Sequence, residues 1–184
     1  ILYRLVKDGW PIAIAAFYGI QGGPTEVAYP SHLNPELKGI TIKHYPQMSE
    51  AWGSDGMFFH GRDFNADVTM CMQDIFTLDP AYLSKIKAWI PYFPVDKEPL
   101  PMNVVQKLGF AYKILCFSKF GQKQLVEKGF ASSLIYEGTD CEIFKPRDKA
   151  EARKKLGVPQ DVFLWSMVGA NKENPPRKGY QEAL

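Results

Sequence analysis

YKILCFSKFGQKQLVEKGFASSLIY, residues Tyr112 to Tyr136, is the stretch on which the fold turns. Tyr112 to Phe117 is an apolar run with one lysine in it and reads as a strand. Ser118 follows where a helix N-cap belongs, and the helical pattern it opens ends at Gly129. Ser133 to Tyr136 is a second short strand. A helix set between short apolar strands is the repeating unit of a parallel sheet with helices packed on it.

The same alternation extends toward the N-terminus. Pro11 to Phe17 is a continuous apolar run, the pattern of a strand buried on both faces, and Gly22-Gly23-Pro24 breaks it as a turn. Ile40 to Tyr45 is a second strand ending at Pro46, and Ser54 to Asn65 a short helix with Ser54 as its cap. Asp67 to Met72 reads as another buried strand and runs into Gln73-Asp74. Asp79-Pro80 opens a helix through Trp89, and Pro101 opens one through Leu108. Ile90 to Phe93 is apolar enough for a strand, but Pro91 and Pro94 weaken that reading. The expected fold is α/β, a Rossmann-like parallel sheet with helices on both faces.

Bulk composition narrows the function classes. With 46% hydrophobic and 14% aromatic residues the chain buries a sizeable core, and a net charge of +2 gives no general attraction to nucleic acid. Cys71, Cys116 and Cys141 lie far apart without a metal-ligand or redox spacing, so a reduced, cytoplasmic setting is expected. No apolar stretch is long enough to span a bilayer, which leaves peripheral membrane contact open. Ile1 to Gly9 starts inside a helical pattern, and another begins at Lys178 and stops at Leu184, so the sequence reads as a fragment. A basic segment from Lys145 to Leu156, closed by Gly157-Val158-Pro159, separates residues 1–157 from 158–184 as two domains, the second truncated. Val162 to Gly169 is expected as a fresh buried strand of that second domain.

Ile135 to Pro146, IYEGTDCEIFKP, resembles the segment that joins the two domains of family 4 glycosyltransferases, which have the GT-B fold. The strand, Ser118 cap and helix before it, and Arg153-Lys154-Lys155-Leu156-Gly157-Val158-Pro159 after it, resemble the elements flanking that joint. Val168-Gly169 followed by Arg177-Lys178-Gly179 is similar to the first strand and loop of the family's donor-binding domain. The resemblance implies an acceptor-side N-terminal domain and the start of a nucleotide-sugar-binding domain. It implies sugar transfer from a UDP- or GDP-type donor with retention, no metal and no further cofactor. The acceptor, whether glycan, lipid or protein, is left open. The family's paired-glutamate donor motif would fall beyond Leu184 and its glycine-rich first turn before Ile1, so residues 1–184 alone are expected to be inactive.

Departure of a nucleoside diphosphate develops negative charge that fixed cations stabilise. The resemblance assigns that role to Lys178, with Arg177 beside it. Where the family often has an arginine after the strand's glycine this chain has Ala170, and Lys172 is the candidate substitute. Arg177-Lys178 taken alone is equally a solvated turn. Gln73 and Asp74, at a strand's C-terminal end, are candidates on the acceptor side, because such ends line the ligand crevice of open α/β sheets. Both are candidate catalytic residues: Gln73 holds the place of a histidine that in many relatives contacts the transferred sugar, and is able to donate but not to act as a base; Asp74 orients an acceptor hydroxyl or takes its proton, or is a cap or turn residue. Gly138 serves the joint through a flexible or positive-φ backbone, and Asp140 by bonding local N–H groups. His44 and His60 complete no metal set, and His60 reads as structural. Trp52, Phe58, Phe59, Tyr92 and Phe93 form either an acceptor platform or core. The rival readings are a GT-B epimerase or phosphorylase, and a non-catalytic module that binds a sugar or a protein.

Overall fold

The structure, a computed structural model, describes residues 1–16, 19–30, 32–170 and 178–180. Phe17 of the expected first strand, Lys172 and Arg177 of the basic loop, and residues 181–184 of the expected last helix lie outside these. The chain divides into two compact units, Ile1–Thr139 and Asp140–Leu184.

The first unit opens with α1 (Leu2–Lys7), after which Gly9 takes φ +92°, the left-handed geometry that ends a helix. Three short strands follow, β1 (Ala13–Ala15), β2 (Thr25–Ala28) and β3 (Thr41–Tyr45), in the spatial order β1-β3-β2. β1 runs parallel to β3, and β2 antiparallel to it with Val27 opposite Ile42. The sequence pattern gives no strand at β2, which begins with Thr25 and Glu26 right after the Gly22-Gly23-Pro24 turn. β1 is an edge strand with Ala15 exposed, so it is not buried on both faces.

The second sheet is the Rossmann-like one. It is assembled from β4 (Thr69–Cys71), β5 (Trp89–Phe93), β6 (Leu115–Cys116) and β7 (Ser133–Leu134), in that order and all parallel. The helices that flank it are α2 (Ser54–Asp63), α3 (Pro80–Leu83), α4 (Met102–Leu108) and α5 (Lys119–Glu127). Leu83, Trp89, Phe93, Leu108, Cys116 and Leu125 belong to one buried cluster that joins sheet to helices. The fold class is therefore α/β, as the alternation of elements predicts.

Local signals fail where this core competes with them. The helix opened by Asp79-Pro80 ends at Leu83 instead of Trp89. Trp89 is fully buried in β5 opposite Thr69, and sheet pairing outweighs the helical period around it. β5 tolerates Pro91 opposite Cys71; one ladder donor is lost, but the ring is fully buried. β4 buries Cys71 and exposes Met70, as an edge strand does. In α2 the N-cap is Gly53 at φ +76°, not Ser54. Ser54 is buried inside the first turn, and its hydroxyl accepts a bond from the Asp79 N–H at 2.9 Å.

Ser118 does cap α5, its hydroxyl accepting from the Gly121 N–H at 3.0 Å. Gly121 packs closely there, since a Cβ would come within 3.2 Å of Val95 Cβ. Replacing Ser118→Ala is expected to destabilise the protein by about 1 kcal/mol. Urea denaturation should show a lower midpoint with an unchanged slope; an unchanged midpoint would mean that the Val95 contact alone fixes the helix start.

The second unit contains α6 (Lys149–Leu156), capped by the Asp148 carboxylate on the Glu151 N–H at 2.8 Å and ended by Gly157 at φ +69°. Arg153, Lys154 and Lys155 sit in its last turn, where the helix dipole favours cations. The expected buried strand at Val162–Gly169 is not formed among the described residues, and Phe163 and Val168 are 91% and 98% exposed. An apolar run becomes a strand only beside another strand, and the described residues of this unit contain none. Among the described residues of the chain, no helix is long and apolar enough to cross a membrane.

Candidate functional site

The parallel order of β4, β5 and β6 brings their C-terminal ends to one edge of the sheet. From there Met72-Gln73-Asp74, Pro94 and Phe117 continue outward, and with Trp52 and Thr77 they line a crevice of about 330 Å³. This is where ligands enter open α/β sheets, because the strand ends stop and the loops diverge. A second concavity of about 250 Å³ includes Arg62, Asn65, Thr69, Lys85 and Lys87. It adjoins the opposite end of β4, and Arg62 and Lys85 lie over aromatic rings there. The first crevice is the candidate site.

Its far wall depends on a buried carboxylate. Asp55, 1% exposed at the start of α2, accepts at Oδ2 from Ser49 N (3.0 Å), Ser49 Oγ (2.9 Å) and Glu50 N (2.9 Å), and at Oδ1 from Gly56 N (2.7 Å). Burial alone would push this carboxyl up; the four hydrogen bonds outweigh it and hold the group below the usual carboxylate range. Glu50 in turn accepts from Trp52 N at 3.0 Å and Ser54 N at 2.7 Å. The Gln73 amide donates to the Trp52 carbonyl at 3.2 Å. The backbone of Trp52 is thus fixed from both sides while its indole stays half exposed.

Asp74 stands differently. It holds the N-cap position of a 3-10 turn at Ile75–Thr77, yet its side chain makes no cap bond. Thr77 Oγ donates to the Asp74 carbonyl at 2.6 Å, so the turn is closed by the main chain of Asp74 and not by its carboxylate. On the other wall, Phe117 packs edge-on against Tyr92 with ring centroids 4.2 Å apart. Tyr92 donates its hydroxyl to the Ile135 carbonyl at 3.0 Å, and burial, then the negative Glu137, raise the phenol above its ordinary range. Below the crevice Cys71 is inert: burial pushes its thiol up to about 11, although Trp89 Nε1 donates to the sulfur at 3.2 Å.

The remaining sequence candidates separate from this crevice. Phe93 is core, and Phe58 and Phe59 pack with Tyr82 away from the lining. His60 is tied to the Pro46 carbonyl at 3.0 Å and stacks on Tyr45, a structural position. Among the described residues His44 Nε2 is buried without a hydrogen-bond partner. No three His, Cys, Asp or Glu side chains among the described residues cluster as a metal site would require. Gly138 is not in the left-handed region, so its positive-φ role fails, and a Cβ there would meet only Ile1 at an ordinary 3.9 Å. Asp140 accepts from the Glu142 N–H at 3.0 Å.

Lys178 is the one expected phosphate ligand within the described residues. Gly179 at φ +68° and a bond from the Tyr180 hydroxyl to the Gly169 carbonyl, 2.5 Å, return the chain to Gly169. Lys178 Cγ then lies 4.0 Å from the point a Cβ on Gly169 would occupy. Thr77, Pro94 and Phe117 are lining residues that no sequence motif marks. Their signal is positional, since Pro94 and Phe117 immediately follow strands.

Fold and crevice define an α/β protein with a Rossmann-like parallel sheet and a ligand-sized cleft at its C-terminal edge. No family model, curated protein or solved structure matches the chain.

Proposed function

We propose that the protein is a glycosyltransferase that moves a sugar from a nucleotide-sugar donor to an acceptor hydroxyl. The observation that carries this reading is the Asp74 carboxylate, which makes no cap bond and borders a crevice at the ligand edge of a parallel sheet. A hydroxyl entering the crevice would find there an acceptor for its proton. Lys178, beside Gly169, supplies the cation for the departing diphosphate in the reading that the joint-like segment Ile135–Pro146 and the Arg177-Lys178-Gly179 loop support. In the reaction the acceptor oxygen bonds to the anomeric carbon and loses its proton. The bond from that carbon to the diphosphate oxygen breaks, and nucleoside diphosphate leaves.

The test is nucleotide release by the full-length protein carrying this sequence, offered UDP-, GDP- and ADP-sugars in turn. Release from one donor establishes transfer or hydrolysis and names the donor. Absence of both release and nucleotide binding for every donor would overturn the enzyme reading in favour of a sugar- or protein-binding module.

A further inference from the structure

We infer that the crevice beside Asp74 takes a neutral pyranose, so that the acceptor is an uncharged sugar, not a phosphorylated one or a lipid phosphate. The inference rests on the glycosyltransferase reading only for the word acceptor; the binding itself stands on the lining. Among the described lining residues the charged side chain is Asp74, a carboxylate that repels a phosphate. An anion would be desolvated next to a carboxylate. The apolar part of the lining is Trp52, Met72, Pro94 and Phe117, and the polar part is Gln73, Asp74 and Thr77. A pyranose matches that division: one face is a patch of C–H bonds, which the negative face of an indole attracts, and its edge carries hydroxyls. An acyl chain would leave Asp74 desolvated and unbonded, at a cost.

Rigidity strengthens the case. Trp52 is clamped through its N–H by Glu50 and through its carbonyl by Gln73, and the loop behind it is pinned by Asp55. A main chain fixed in this way lowers the ordering cost of presenting the indole to a ligand. Gln73 is therefore a positioning residue for the platform, in contrast to the direct sugar contact that the resemblance implies for its position.

The experiment follows the indole N–H resonances of the four tryptophans by NMR, with that of Trp52 assigned through Trp52→Phe. Methyl glycosides of glucose, galactose and mannose are titrated without donor, alongside the matching hexose 6-phosphates. One neutral glycoside should shift the Trp52 signal saturably at millimolar concentration. With binding read from saturation transfer to the glycoside, since these variants lack the reporter indole, Trp52→Ala should weaken it roughly tenfold, and Trp52→Phe, which keeps a ring, should recover most of it. The 6-phosphate should bind more weakly than its neutral parent, with the gap narrowed in Asp74→Asn. No shift with any neutral glycoside, or tighter binding of the phosphates, would overturn the inference. Nucleotide release with no glycoside binding would sink this inference alone, and glycoside binding with neither nucleotide release nor nucleotide binding would sink the enzyme reading alone.

Discussion

Asp55→Ala is expected to lower the unfolding free energy by roughly 3 kcal/mol at neutral pH. Three backbone N–H groups and one hydroxyl converge on this carboxylate, which is almost wholly buried. Hydrogen bonds to a charged group contribute more than neutral ones, and a donor left buried without an acceptor forfeits about 1–3 kcal/mol. Water entering the space recovers part of that sum. The pH dependence follows from the direction of the shift. A carboxyl whose folded pKa lies below its unfolded value, about 3.8, contributes stability that is full above the unfolded value and is lost as pH falls through the folded one. The gap between wild type and Asp55→Ala should therefore be wide at pH 7 and narrow below about pH 4. Asp63, also held low, first by the Tyr45 hydroxyl, leaves a smaller acid sensitivity common to both proteins. Thermal melts across pH 3 to 7 check this. A gap under about 1 kcal/mol, or one that does not change with pH, would show that the carboxylate is not the brace of the Trp52 loop.

What the sequence made legible follows the range of the forces involved. Ser118 and Gly129 mark α5 correctly, because a cap bond and a left-handed glycine act within one turn. The Asp79 cap is equally local, and its carboxylate accepts from Ala81 N at 2.8 Å. The length of the helix it starts is not local: Trp89 is drawn into β5 by the sheet and the core. Ser54 shows the same limit. Its place before a helical pattern suits a cap, but the cap position falls to Gly53, and Ser54 is turned inward to meet the Asp79 backbone. Gln73 and Asp74 are legible as a strand end, which is enough to put them at the crevice. That Gln73 holds Trp52 is not legible, because the contact crosses 21 positions and depends on a loop pinned by Asp55.

If the protein is the glycosyltransferase proposed above, Lys178→Ala is expected to reduce turnover of the preferred nucleotide-sugar by about 10²- to 10³-fold, with a smaller change in KM for the donor. The asymmetry comes from when the charge appears: the diphosphate gains negative charge as the glycosidic bond breaks, so a fixed cation stabilises the transition state more than the bound donor. The position is fixed by its neighbours, since the Tyr180 hydroxyl on the Gly169 carbonyl closes the chain around Lys178. A Cβ added at Gly169 would lie 3.2 Å from the Tyr180 oxygen, so that hydroxyl would have to shift by a few tenths of an ångström. Lys178→Arg keeps the charge but replaces a compact ammonium with a planar fork, and should recover only part of the rate. Lys123→Ala serves as the control, since that lysine is exposed on α5 and paired with Glu127 of the same helix and with Glu98 in the loop before α4. Steady-state release kinetics on the three variants separate the possibilities. A loss confined to KM would make Lys178 a ground-state binding residue. Wild-type kinetics in Lys178→Ala would remove it from the phosphate site altogether.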